Sequence, residues 1–395
     1  MSDPTPPAAS RPRYGGGPAK ATRRELQGRR GGRSSWSWRV AAIVVALVVV
    51  GGTIALVATS HGPTEHAASP PPPSTSTTVT PTATGPTCPL TGLPAPGGAV
   101  PQRPALAVKI GNYPADRPSA GLDHADIVFE EPVEGSITRL VAVFQCQSPP
   151  LVGDIRSARE PDVAILSQLS HPLFAHMGGI NPILNLLSQA PIIDLDMLGG
   201  APARAIVHEP GKVPPYNTFT KPTSMWALER SDKTPPQPIF QYSTALPAGA
   251  VAGSGTTLHI PFSGYSNVTW TWNPAGNDYL RAYSGVPDRL VDGAQVATTT
   301  VVAMTVQTFL GPWVENAQGA HEVEVTALGS GPVTIVRNGA VITGTWQRTS
   351  LTSPATFTSA GGAPITLAPG RTWVELVPQG IPVVASPGVS TAAAG

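Results

Sequence analysis

The chain has 395 residues, 41% of them hydrophobic and 12% charged, with a formal net charge of +1. That apolar share supports a packed core and excludes wholesale disorder, while two cysteines exclude a disulfide-built miniprotein and a cysteine-built zinc site. Forty-six prolines and 41 glycines exclude a bundle of long helices and point to short strands, short helices and many turns.

Charge is distributed unevenly. Residues 1–39 hold nine Lys/Arg against two acids, a basic leader expected to be disordered and cytoplasmic. Residues 40–58 (VAAIVVALVVVGGTIALVA) carry no charge and no polar stripe. As a helix this run spans roughly 28 Å, close to the apolar thickness of a bilayer. Trp36 and Trp38 precede it, and the arginines massed on the same side keep the N-terminus in the cytoplasm and send the rest outward. A cleaved signal peptide is the rival reading, but its apolar region and basic region are usually shorter. A basic leader also raises nucleic-acid binding. The apolar run behind it argues for a topology signal, so the membrane is the expected partner and nucleic acid is not.

Residues 59–87 follow as a Pro/Ser/Thr-rich stalk with too few apolar side chains to offset the entropy of ordering. Outside the membrane the two cysteines read differently. Cys88 and Cys146 form a plausible single disulfide in an oxidising compartment, with two buried thiols as the alternative.

The region 88–240 alternates short strand and helix patterns. Strands are expected over 103–111, 125–131, 136–145 and 151–155, then a helix opening at Pro161 with Asp162 in its first turn. A strand at 172–177, the Gly178-Gly179 turn and a helix capped by Asn181 repeat the pattern. A strand at 192–198 and a helix from Pro222 complete it. Two strand-to-helix junctions attract chemistry, one with Arg156, Ser157 and Arg159, the other with Gly178, Gly179 and Asn181. Helix N-termini and bidentate guanidinium groups suit an anionic or polar ligand. The competing reading is structural ion pairing with the nearby acids, among them Glu130, Glu131, Glu134, Asp154 and Glu160.

The spacing of Asp123, Asp126, Glu130, Glu131 and Glu134 matches no calcium loop, and strand alternation separates Glu130 from Glu131. His171 and His176 bracket a strand on opposite faces, so no metal site and no cofactor are expected. No G-x-S-x-G, H-E-x-x-H, S-x-x-K or P-loop occurs.

From 241 to 380 the pattern is β throughout, with Asn338-Gly339 as the favoured two-residue hairpin turn. Trp270 and Trp272 share a strand face, and Trp346 and Trp373 also fall on strands. Such rings stack on sugars or, more commonly, fill a core between sheets. Residues 381–395 read as a flexible tail.

Several long strings, among them CPLTGLP, VGDIRSARE, FAHMGGINP, GSGPVTIVRNGAVITGTWQR and GRTWVELVP, resemble the YerB-like family of bacterial extracytoplasmic lipoproteins of unknown function. The resemblance covers about 88–380. It implies an N-terminal α/β domain and a C-terminal β domain outside the cytoplasmic membrane, and no reaction, cofactor or catalytic residue. Two departures stand out. Family members are often lipid-anchored through an N-terminal cysteine, where this chain has an apolar run, and Asp288 stands where many have a histidine.

The expected fold is therefore α+β: a mixed α/β domain at 88–240, then a predominantly antiparallel β domain at 241–380, behind a single transmembrane helix. The expected function is a non-enzymatic envelope-associated module with an anion or polar-ligand cleft, its partner a cell-envelope ligand or protein. The alternative is a cell-wall or glycan hydrolase using Glu131 and Glu134 as paired carboxylates.

Overall fold

The computed structural model describes residues 85–387. The basic leader, the expected membrane segment at 40–58, the stalk up to residue 84 and residues 388–395 lie outside the described residues. Among the described residues no helix is long and apolar enough to cross a membrane.

The first half holds β1 (Leu106–Gly111), β2 (Ile127–Val133), β3 (Ile137–Phe144), β4 (Val152–Gly153), α1 (Pro161–Ser167), β5 (Leu173–His176), α2 (Asn181–Gln189) and β6 (Ile193–Asp196). It continues through α3 (Gly200–Ala203), β7 (Ile206–His208), β8 (Thr218–Thr220) and α4 (Pro222–Leu228). The second half holds β9 (Thr257–Pro261), β10 (Asn267–Asn273), β11 (Asp278–Tyr283), β12 (Val286–Pro287), β13 (Ala297–Thr298), β14 (Thr300–Val314) and β15 (His321–Thr326). Then come β16 (Gly329–Arg337), β17 (Ala340–Arg348), β18 (Thr356–Ser359), β19 (Thr372–Pro378) and β20 (Val384–Ser386).

Eleven strands form one mixed sheet in the order β18-β17-β16-β14-β19-β2-β3-β1-β5-β6, with β15 paired to the far half of β14. Strands from both halves meet at its centre, where β19 runs parallel to β2 and Thr372–Glu375 match Ile127–Glu130. The two regions expected to follow one another as domains thus share a sheet. β1 lies between β3 and β5 and is covered on both faces, so all six of its residues are buried instead of alternating.

One face of this sheet carries Ala107, Phe129, Val141 and Val302 against Ile165, Leu166, Ile183, Leu187 and Phe240 from the helices and the segment after α4. The other face carries Val108, Val128, Leu140 and Trp373 against Leu258, Ile260, Trp270 and Tyr279 of a six-stranded sheet. That sheet runs β12-β11-β10-β9-β20, with β13 on β11. Trp270 meets Trp373 edge-on at 5.1 Å between the sheets, and Trp346 is buried on the helical side. Trp272 is partly buried, 5.0 Å from Tyr279. These rings fill core.

Several expected elements differ in detail. Only Val152–Gly153 of 151–155 is strand, held in a small sheet with β8 and β7 that the pattern did not reveal. Asn181 is the first helical residue rather than the cap; Ile180 takes the cap position with extended φ/ψ and no side-chain bond. Pro182 still falls in the first turn, where a proline gives up no helical hydrogen bond. Val384–Ser386, inside the expected flexible tail, pairs with Thr257–His259 as an edge strand.

The hairpin forms at Asn338-Gly339, both with positive φ (51° and 69°). Cys88 and Cys146 are disulfide-bonded, with Cα atoms 6.1 Å apart, tying the entry of the chain to the end of β3.

Candidate functional site

The two strand-to-helix junctions singled out in the sequence lie side by side. Arg156 O accepts from Met177 N at 2.9 Å, and Gly178 O accepts from Ala158 N at 2.9 Å. Gly178 has φ +64°, and a methyl group on it would stand 2.4 Å from Leu198 Cδ1. Its own N–H donates to Asp196 Oδ1 at 2.9 Å, so it is committed within the turn. Gly179 is half-buried beside it, and Asn181 is exposed on α2.

The arginines divide. Arg159 grips Glu134 with a two-pronged bond, Nε to Oε2 at 2.8 Å and Nη2 to Oε1, and its Nε lies 3.4 Å from Glu315. Burial opposes its charge, but the Glu134 bond and the two carboxylates hold its pKa above the usual arginine value. Burial alone would raise the Glu134 carboxyl; the Arg159 fork outweighs it and, with Arg139, holds it down at about 2. Arg159 is therefore an ion-paired structural residue. Arg156 is partly exposed, 3.5 Å from Asp116 Oδ1, with Nη1 donating to Pro215 O at 2.9 Å and the guanidinium 5.2 Å from the Tyr216 ring.

Between them stands Arg139 of β3, which sequence reasoning missed. It is 7% exposed, and among the described residues only one of its five N–H donors, on Nη1, forms a hydrogen bond, to Ser157 O at 2.7 Å. Its nearest carboxylate, Glu134, is 3.7 Å away and already held by Arg159. Burial, then the charge of Arg159, opposed by Glu134, and that of Arg156 leave its pKa lowered to about 10. The register of β2 and β3, with Glu131 opposite Arg139, contains the signal, but only pairing reveals it.

The alternative carboxylates answer to different cations. Glu131 is fully buried with Lys109, whose ammonium also reaches Asp162 Oδ1 at 2.7 Å. Burial, with Asp162 adding to it, pushes the Glu131 carboxyl up to about 8 against the pull of Lys109. Glu134 belongs to the arginines. As alternation requires, Glu130 points the other way, to Arg281 of β11.

Both ring nitrogens of His176 are engaged, Nδ1 with Gly178 O at 2.9 Å and Nε2 with Asp194 Oδ1 at 2.8 Å. The ring is fully buried, a satisfied core histidine. Among the described residues no group of three or more His, Cys, Asp or Glu is placed to hold a metal.

The roomier concavities lie elsewhere. One of about 340 Å³ is bordered by Phe240, Phe357 and Ile365, and an open one of about 610 Å³ by Arg117, Tyr283 and Asp288. Neither touches the arginine set, whose distinction is an incompletely bonded buried cation rather than volume.

Residues 90–235 match the N-terminal domain, and residues 258–374 the C-terminal domain, of the family described as "Protein of unknown function (DUF3048)". The chain is 30% identical over 306 residues to the protein named "Putative lipoprotein YerB" of Bacillus subtilis strain 168, covering 74% of this chain and 86% of that one. The crystal structure of the YerB protein from Bacillus subtilis superposes with a TM-score of 0.62 at 23% identity, over 74% of this chain and 96% of that one, a likeness of fold. With both domain matches and that relative in hand, the chain belongs to the DUF3048 family of YerB-like proteins of unknown function.

Proposed function

We propose that this protein is an envelope-associated binding module, held at a membrane by residues 40–58, that takes an anionic group of its ligand at Arg139 and Arg156. The carrying observation is Arg139: a nearly buried guanidinium with, among the described residues, one hydrogen bond and a 3.7 Å contact to a carboxylate that Arg159 already grips. A buried cation short of partners costs stability, and a carboxylate or phosphate oxygen on its open donors would offset that cost with charge-assisted bonds. Arg156 supplies a second, more accessible guanidinium, and Ser157 joins the two through its backbone. Arg159 belongs to the frame: its fork holds Glu134, which leaves Arg139 a looser 3.7 Å contact with the same carboxylate.

The envelope placement rests on the cationic leader before an uncharged run, on the disulfide, which suits an oxidising compartment, and on a relative named as a lipoprotein.

The full-length chain in detergent, titrated with inorganic phosphate and with acetate, should show saturable stabilisation against heat. Arg139→Met with Arg156→Ala should weaken it at least about tenfold, the loss expected when a charged donor to an anion is removed. An unchanged titration in that folded double variant, or no response to either anion in the parent, would refute the reading. Protease added to intact cells should remove residues beyond the stalk if the orientation is right; full protection would refute it.

A further inference from the structure

Beyond Val306, β14 leaves β19 and continues with β15 as its partner. Glu322 and Glu324 stand two apart on β15 and so share a face of this arm. The pairing is irregular between Leu310 and Val314, which brings Gly311 beneath both carboxylates. A methyl group at Gly311 would stand 1.9 Å from Glu322 Oε1 and 2.8 Å from Glu324 Oε1. The two oxygens therefore converge on one spot.

Glu322 is fully buried, and among the described residues neither of its oxygens has a hydrogen-bond partner. Glu160, just before α1, adds a third carboxylate at the edge, its Oε2 accepting from Val325 N at 3.5 Å. Burial, with Glu324, Asp162 and Glu322 adding their charges, pushes the Glu160 carboxyl up to about 7. Among the described residues no Lys, Arg or His forms an ion pair with any of these three; the nearby Arg159 and Arg139 serve Glu134 and Glu315. An isolated buried carboxylate is costly, so this one calls for a cation.

The same molecule shows which cation two carboxylates accommodate. Lys109 sits between Glu131 and Asp162, all three fully buried. An ammonium has three donors and no demand for a large ligand set, whereas a hard metal ion takes six or more oxygens. Phe309 lies directly across from Glu324 on the same face and is 53% exposed, a surface for a methylene stem.

We propose that Glu322 and Glu324 form a receptor for a primary ammonium on an aliphatic stem, either a free alkylamine or a lysine side chain of a peptide. The site is distinct from the arginine cluster and takes the opposite charge. The full-length chain is titrated with n-butylamine, with an acetylated pentapeptide Ala-Ala-Lys-Ala-Ala and with butyltrimethylammonium, using the thermal shift as readout. Saturable stabilisation by butylamine or the lysine peptide, at least tenfold tighter than by the trimethylated probe, is the expected result. Whichever of the first two binds more tightly identifies the source. Glu322→Gln removes charge at nearly constant volume and relieves a buried unpaired carboxylate, so it should fold and lose at least tenfold in amine affinity. Glu324→Gln, at the more accessible position, should do the same. No response to either amine, equal response to the trimethylated probe, or unchanged amine affinity in both glutamine variants overturns the proposal.

Discussion

Glu130 of β2 and Glu375 of β19 stand in register on adjacent parallel strands, both fully buried, one from each half of the sequence. Arg281 of the second sheet bonds Glu130 and reaches Asp288 Oδ2 at 2.8 Å, while Trp270 Nε1 donates to Glu375 Oε1 at 2.8 Å. Burial, then the neighbouring Glu130 charge, holds the Glu375 carboxyl well above its usual range. The two halves are thereby joined by a polar network as well as by a strand ladder.

This relationship separates two variants. Glu375→Gln keeps an acceptor for Trp270 and a neutral donor for Glu130, and should change unfolding free energy by less than about 1 kcal/mol. Arg281→Met leaves Glu130 and Asp288 buried without their cation and should cost about 3–5 kcal/mol. Urea unfolding of the two variants measures both. Equal losses would show that Glu375 is ionised in the folded chain.

Glu134 sets a pH dependence of known sign. Its folded pKa lies below the usual 4.5, at about 2. Its contribution is therefore fully present above the unfolded pKa and is lost as pH falls from about 4.5 toward 2, amounting to roughly 3 kcal/mol. In Glu134→Gln that part of the acid limb should flatten, with denaturant midpoints compared at pH 6 and pH 3.

The Cys88–Cys146 bond closes a separation of 58 residues. A loop of that size constrains the unfolded chain by about 4 kcal/mol in the chain-entropy account. Cys146→Ser with Cys88→Ser should lower the thermal midpoint by roughly 10 °C. Asp126 Oδ2 accepts from both Gln145 N (2.6 Å) and Cys146 N (3.1 Å), so β3 should keep its end even without the bond. Retained near-ultraviolet circular dichroism in the double-serine variant checks this.

Gly339→Ala tests the hairpin. The residue has φ +69°, and an added methyl would stand 3.0 Å from Trp272 Nε1. Left-handed backbone costs an L-residue about 1–2 kcal/mol. Calorimetry should show a loss of that size or more, whereas Gly319→Ala, also at positive φ but with open space around it, should lose only the backbone part.

Much of the fold was readable locally. The Asn338-Gly339 turn, the Pro161 and Pro222 helix starts and the opposed directions of Glu130 and Glu131 follow from steric rules that act within a few residues. What local rules missed involves partners distant in sequence. Arg156 and Arg159 looked equivalent as a sequence pair, yet Arg159 is claimed by Glu134 and by Glu315, which enters from the β14–β15 arm more than 150 residues later. Arg139 looked like one polar residue on an apolar strand until its neighbours were known.

By itself the sequence determined the proline-started helices, the hairpin, the family membership and the apolar run at 40–58, because each depends on turn sterics or a contiguous string. Only the tertiary structure decided that β19 inserts beside β2, that Arg139 is nearly buried with a single hydrogen bond among the described residues, and that Glu322 is buried there without a partner. Pairing and burial depend on which distant segments meet, and a carboxylate or guanidinium acquires its character from the charges and solvent exclusion it meets there.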